Sequence, residues 1–175
     1  MKTCALCRKP WPADALDRIS GLDLCGNCRL DEPTRALGSH GIIVEWDVRL
    51  GWFNAGLGLP NADADFHLSC VPEMITHKIL KWVVHEVEVG DPAFDKAVYV
   101  RTSDRERAAK LLANEGLQSC MLTFLTAVRV NELASNHVTL KGPTLTLASR
   151  PLGSLPPERV QALKVETAVL ALHLA

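Results

Sequence analysis

The residues whose types and spacing point to chemistry are four cysteines near the start of the sequence. Cys4 and Cys7 are followed, after seventeen intervening residues, by Cys25 and Cys28. Each Cys-x-x-Cys pair lets two sulfurs turn onto one point while backbone N–H groups face the thiolates. Two pairs at this spacing supply the four tetrahedral ligands of a zinc ion. An iron centre or redox dithiols are the other chemistries that such thiols carry. The expected cofactor is one structural Zn2+. Four thiolates on one ion leave no position for water or substrate, so the site is expected to hold the chain together rather than to catalyse. Arg8, Lys9 and Arg29 stand beside the pairs and are expected to offset their negative charge.

Outside this set the reactive side chains read as structural. His67 lies three residues before Cys70, but on a strand the two side chains point to opposite faces, so no thiol–imidazole nucleophile is expected. Cys70 and Cys120 sit on apolar stripes as small core residues. His77 and His85, with Glu86 and Glu88 nearby, lack the spacing of a metal-binding helix and are assigned to a solvated face. Asp91 and Asp95 are given local work: Asp91 starts a turn ahead of Pro92, Phe94 plugs the core, and Asp95 caps or pairs nearby. Asp63 and Asp65, in a polar loop, offer at most a weak cation site. The sequence contains no P-loop, dinucleotide fingerprint or Gly-x-Ser-x-Gly elbow, and no catalytic residue is assigned. Trp46 and Trp82 belong to apolar stripes. Trp11, Trp52 and Phe53 are the expected partner-binding residues, with packing of the cysteine module onto the rest of the chain as the other use for such aromatics.

The elements that must position these groups belong to a chain of 175 residues, 47% apolar and 22% charged, which folds rather than stays disordered. That length suits one ordinary domain, or, the favoured reading, one domain of about 130 residues plus a metal module too small to build its own core. Nineteen Lys and Arg nearly balance twenty Asp and Glu, so no global field draws the chain to nucleic acid or to an anionic membrane. The first 38 residues carry six basic against five acidic side chains, which is not the balance of a DNA-binding finger. The opening Met1-Lys2-Thr3-Cys4 lacks a signal peptide's apolar run, and no stretch reaches the roughly 18 apolar residues of a membrane span. A cytoplasmic location is expected, where paired cysteines hold metal more often than they form disulfides.

Along the chain, Lys9-Pro10-Trp11-Pro12 turns after the first knuckle, and Ser20-Gly21 supplies the turn of a short hairpin leading into Cys25. Pro33 opens a short helix through Leu37, and Gly38-Ser39-His40-Gly41 reads as a hinge. This order resembles the treble-clef and zinc-ribbon group of fingers, a likeness over about thirty residues that implies a metal-holding fold and no activity. Ile42, Val44, Trp46, Val48 and Leu50 then alternate with Glu45, Asp47 and Arg49 as a strand with one buried face. Residues 51 to 65, rich in Gly, Asn and Pro, read as turn and loop. Phe66, Leu68 and Cys70 read as a return strand antiparallel to the first. Pro72, Ile75, Ile79, Trp82 and Val83 fit a helix with Pro72 in its first turn, a strand over 81 to 89 being the alternative.

After the break at Gly90-Asp91-Pro92, residues 97 to 101 read as a strand running into a capping box of Ser103 and Glu106 that opens a helix ending near Asn114 to Gly116. Leu117, Cys120, Met121, Phe124, Leu125 and Val128 form the stripe of a second helix. Val138, Leu140, Leu145 and Leu147 alternate about a Lys141-Gly142-Pro143 turn, and Pro156-Pro157-Glu158 opens a last helix with Val160, Leu163, Leu170 and Leu174.

Gly90-Asp91-Pro92-Ala93-Phe94-Asp95, the strand ending Val100-Arg101 and the helices and hairpin after it together resemble a bacterial domain of unknown function whose signature has the form GDPxFDxxFxVR. Val98 replaces the second Phe, and the likeness covers residues 40 to 174. It implies an α+β domain and brings no assigned reaction. The expected fold class is therefore α+β, with a Cys4 module at 1 to 38 and an antiparallel-sheet domain with about four helices at 39 to 175. The expected function is non-enzymatic, through protein contacts or self-association, as an adaptor, scaffold subunit or regulator. Nucleic-acid binding through the finger, using Arg8, Lys9, Arg18, Arg29 and Arg35, is the alternative. An enzyme with a site built from loops 51 to 65 and 90 to 95 stands third.

Overall fold

The computed structural model describes residues 1 to 30, 33 to 49, 52 to 60, 63 to 73, 87 to 127, 135 to 150 and 155 to 175. Strands β1 (Lys2–Thr3) and β2 (Pro10–Trp11) pair across the first knuckle. Strands β3 (Leu16–Ile19) and β4 (Leu22–Cys25) then form the expected hairpin. Its turn needs two left-handed residues in succession, Ser20 at φ 46° and Gly21 at φ 85°, the twist that best joins antiparallel strands. The strand delivers Cys25 directly into helix α1 (Gly26–Leu30), and α2 (Pro33–Gly38) follows with Pro33 at its start, where a missing N–H costs nothing.

Among the described residues the rest of the chain builds a six-stranded sheet with every neighbour antiparallel. Its strands are β5 (Ile43–Arg49), β6 (Trp52–Gly58), β7 (His67–Pro72), β8 (Val98–Thr102), β9 (Ser135–Lys141) and β10 (Thr144–Arg150). Their order across the sheet is β5-β6-β10-β9-β7-β8. Register puts Val44 opposite Leu57, Leu57 opposite Leu145, and Leu145 opposite Leu140. Leu68 opposite Leu140 and Cys70 opposite Val100 extend the same apolar face. That face packs beneath α2, α5 (Glu115–Thr126) and α6 (Pro157–Leu174), so the fold is α+β with the core between sheet and helices.

Several sequence expectations shift here, each for a physical reason. Residues 52 to 58, expected as loop, are strand β6: Phe53, Ala55 and Leu57 are buried and alternate with Asn54, Gly56 and Gly58. The glycines that suggested a turn lie on the face away from the helices, where no side chain is needed. The return strand beside β5 is consequently β6, and β7 pairs instead with β8 and β9. Strand β5 lies at the edge of the described sheet, and Val48 is 44% exposed, so its apolar face is only partly covered; Ile43, 74% exposed, lies on the other face with Glu45 and Asp47. Pro72 ends β7 opposite Val98 instead of opening a helix. The remaining positions of that helix, Ile75, Ile79, Trp82 and Val83, fall outside the described residues, as do His77, His85, Glu86 and Val128.

The segment before β8 is a short helix, α3 (Pro92–Ala97), with Asp91 as its N-cap. The Asp91 carboxylate accepts from the N–H groups of Ala93 and Phe94 at 2.8 and 3.0 Å. Asp95 accepts from Val89 and Gly90, and Phe94 is fully buried, as expected of all three. Helix α4 (Arg105–Leu112) is capped by Asp104, whose carboxylate accepts from the Arg107 N–H at 3.0 Å. Ser103, the expected cap, is drawn off by a long-range partner: its hydroxyl accepts from the His67 N–H at 2.9 Å and ties β7 to the end of β8.

The cysteine module is docked on the helical layer. The His173 Nε2 at the end of α6 donates to the Ser20 carbonyl at 3.0 Å. Gly116 lets them meet, since a Cβ there would stand 2.8 Å from the Ser20 oxygen and 2.6 Å from the His173 ring. The Trp46 indole donates to the Thr34 hydroxyl at 2.6 Å, with the Lys164 ammonium 5.8 Å from its ring centroid, so one side chain joins β5, α2 and α6. The buried residues of module and sheet form a single cluster, from Cys4, Leu6 and Leu24 through Leu37 to Phe53 and Leu170.

Candidate metal centre

The two knuckles bring Cys4, Cys7, Cys25 and Cys28 together, with all four Sγ atoms within 4.8 Å of one another. The Cys7 and Cys25 sulfurs are 3.9 Å apart. A tetrahedron with metal–sulfur bonds of about 2.3 Å has edges of about 3.8 Å, so the set has the dimensions of a metal site. Local structure explains the convergence. Cys4 and Cys7 flank a tight turn closed by the Arg8 N–H on the Cys4 carbonyl at 2.9 Å, with Arg8 itself left-handed at φ 60°. The hairpin returns Cys25 beside Cys4, where the Cys25 N–H donates to the Cys4 sulfur at 3.3 Å. Cys28 is one helical turn further on.

Cys4 and Cys25 are completely buried, Cys28 nearly so, and Cys7 is half-buried. Burial pushes the Cys4 thiol up, but the N–H groups of Cys7, Cys25 and Leu6 outweigh it and bring the group down to about 7, ready to ionise. Burial pushes Cys25 and Cys28 above the ordinary thiol range, and neighbouring sulfurs add to the rise. The buried Cys25 and Cys28 thiols therefore resist ionising beside Cys4 unless a cation joins them, and a divalent metal ion meets that demand. Among the described residues no other group of histidine, cysteine or acidic side chains converges in this way.

The cations around the site differ from expectation. Arg8 is 3.1 Å from the His40 Nδ1, and the His40 Nε2 donates to the Leu6 carbonyl at 2.8 Å. Arg29 pairs with Asp17 at 2.8 Å. Two of the three basic residues expected to offset the thiolates are thus held by other partners. Lys9 and Arg35 instead stand with Cys7, Cys25, Cys28 and Trp11 around a cleft of about 530 Å³. His40, read only as part of a hinge, braces the first knuckle. Its partner lies 34 residues away, and no local pattern could have signalled it.

No family model matches this chain, and no curated protein or solved structure does either.

The remaining expected site residues are dispersed. Trp11 is half-buried on the wall of the cleft, with its indole N–H enclosed and unpartnered. Trp52 is half-buried on β6, on the face opposite Phe53. Phe53 is fully buried, its ring centroid 5.6 Å from that of Trp46, so it belongs to the core and is not presented to a partner. Strand β6 takes up residues 52 to 58 of the loop named in the third reading, and residues 59, 60 and 63 to 65 remain irregular. The other loop of that reading has its carboxylates engaged, Asp91 and Asp95 both holding backbone N–H groups. Asp63 pairs with Arg107 and accepts the Asp65 N–H, which together hold its carboxyl below the usual range and leave it committed. No helix among the described residues is long and apolar enough to cross a membrane.

Cys70 and Cys120 are buried apart from the metal group, and burial raises each thiol to about 12, with the Glu166 charge adding to Cys120. Both are therefore inert as nucleophiles. The unfolded chain ionises them near 9, so the stability they hold is intact below that pH and falls as pH rises toward 12. At about pH 10.5 the expected loss is about 2 kcal/mol for each thiol. Urea unfolding at pH 8 and pH 10.5 measures it, and Cys70→Ala should flatten the decline. An unchanged decline in Cys70→Ala would show that this thiol is not the titrating group.

Proposed function

We propose that this chain is a non-enzymatic zinc protein that acts through protein contacts, as an adaptor, scaffold subunit or regulator. The observation that carries this reading is the cleft beside the four cysteines. There an indole, an ammonium and a guanidinium surround a group of four sulfurs that lie within 4.8 Å of one another. Such a centre holds its surroundings rigid, and the aromatic and cationic wall of Trp11, Lys9 and Arg35 is the chemistry of a protein-binding anchor. The metal in this reading is one Zn2+, preferred for a closed four-thiolate site.

The module comprises residues 1 to 38 and the sheet domain residues 39 to 175. All four sulfurs fall in the first and all six strands of the large sheet in the second, which supports that division. Knuckle, hairpin and helix follow one another as in a treble clef. The likeness of residues 90 to 101 to the bacterial GDPxFDxxFxVR signature fits the same picture, because Asp91, Phe94 and Asp95 there do structural work. A cytoplasmic location accords with six unpaired thiols.

The test is affinity capture from the protein's own lysate, with size-exclusion chromatography for self-association, using the zinc-loaded chain, its Trp11→Ala variant and Phe53→Leu as a core control. The reading expects a defined partner or a dimer that Trp11→Ala weakens and Phe53→Leu retains. A monomer that retains nothing, or capture indifferent to Trp11, contradicts it.

A further inference from the structure

We propose that the groove along helix α4 binds a small organic anion with an aliphatic body, of the class of a medium-chain carboxylate. The groove encloses about 480 Å³, within the size range of small-ligand sites. One wall is a single helical stripe, Arg107, Lys110 and Leu111 at i, i+3 and i+4. The fully buried positions of α4 are Ala108 and Leu112, and Leu111 packs partly against the same core, whereas Arg107 and Lys110 are exposed and are not needed to pack the helix.

The floor is apolar. Phe66 and Leu140 are each 5% exposed beneath the groove, and Leu174 at the end of α6 closes its far side. The rim is cationic. Arg107 lies over the Phe66 ring at 4.5 Å from its centroid, which fixes the guanidinium above the floor, and Lys110 stands one turn on. Asp63 is the acidic residue on the described lining, and its charge is already met by Arg107 and by the Asp65 N–H. What remains is the single positive charge of Lys110, beside the Arg107–Asp63 pair, over an aliphatic and aromatic floor. Its complement is an acidic head joined to a hydrocarbon chain, the head on Lys110 and the chain over Phe66, Leu111 and Leu140. None of these groups belongs to the metal centre, so this site is separate from the protein-contact reading.

Isothermal titration calorimetry of the intact chain tests the proposal, with octanoate as probe and with octylammonium, octanol and inorganic phosphate as comparisons. Octanoate is expected to saturate at one per chain, and each comparison to bind at least about tenfold more weakly, since each lacks the charge or the chain. Lys110→Glu is expected to weaken octanoate about tenfold or more. Lys96→Glu, the same charge change on α3 outside the groove, should leave it unchanged. Sedimentation with phosphatidylglycerol vesicles distinguishes a free acid from a bilayer, and the protein should remain in the supernatant. The proposal is overturned by absent saturation, by octylammonium or phosphate matching octanoate, by Lys96→Glu matching Lys110→Glu, or by cosedimentation that octanoate does not compete away.

Discussion

Stripping the metal from this chain should release residues 1 to 38 from their fold while the antiparallel sheet persists. Zinc binding supplies about 10 to 16 kcal/mol to the folding of small finger modules. The apolar side chains buried within the module, led by Leu6, Leu24 and Leu37, are worth roughly 1.5 to 3 kcal/mol each, too little to order so many residues alone. The metal-free thiols add to the penalty, because burial resists ionising Cys25 and Cys28 beside Cys4. Cys4→Ser should act in the same direction by removing a buried ligand that accepts the Cys25 N–H. Limited proteolysis after chelation should cut within the first 38 residues and leave a resistant remainder. That remainder should melt at a lower temperature, having lost the Ser20–His173 hydrogen bond and the cover that α1 and α2 give to α6. A proteolysis pattern and circular dichroism spectrum that ignore chelation, with metal loss confirmed, would refute the stapled module.

Phe53→Ala should destabilise the sheet domain by about 3 to 5 kcal/mol, a large part of the 5 to 15 kcal/mol that holds a typical domain. Phe53 is fully buried on β6, facing Val48 across one strand and Ser149 across the other, with the Trp46 ring 5.6 Å away. Truncation leaves a cavity in a layer that helices cover, and the tilted aromatic pair adds about 0.5 to 1.5 kcal/mol to the loss. Urea unfolding followed by tryptophan fluorescence measures this, and the midpoint should fall while the slope stays the same. Trp11→Ala offers the contrast, since Trp11 is half-buried on the cleft wall and should change contacts more than stability. A cost below about 1 kcal/mol at Phe53 would move it from the core to a surface role.

The difference between these two aromatics shows what was legible in the sequence and what was not. The metal group could be read because its code is local: two Cys-x-x-Cys pairs, a Ser20-Gly21 turn and Pro33 each fix geometry within a few residues. The helix at Glu115–Thr126 and the hairpin of β9 and β10 declared themselves by uninterrupted periods of 3.6 and 2. Strand β6 did not, because Gly56 and Gly58 on its outer face imitate a turn while Phe53, Ala55 and Leu57 carry the real alternation. The cap at Asp104 was missed by one residue because Ser103 is claimed by His67, a contact across 36 positions. His40 and Gly116 are functional in the docking of the module for the same reason, each defined by a partner far along the chain. Strand order is likewise invisible to periodicity, which fixes the face of a residue and not its neighbour.

Native mass spectrometry of the purified intact chain tests the central claim most directly, because one spectrum gives metal identity and chain stoichiometry together. One zinc per chain is expected, bound at neutral pH, released on acidification as the thiolates take up protons, and absent from a Cys4→Ser variant. A chain that is metal-free with six titratable thiols, or one that carries iron, would contradict it and return the four cysteines to redox chemistry.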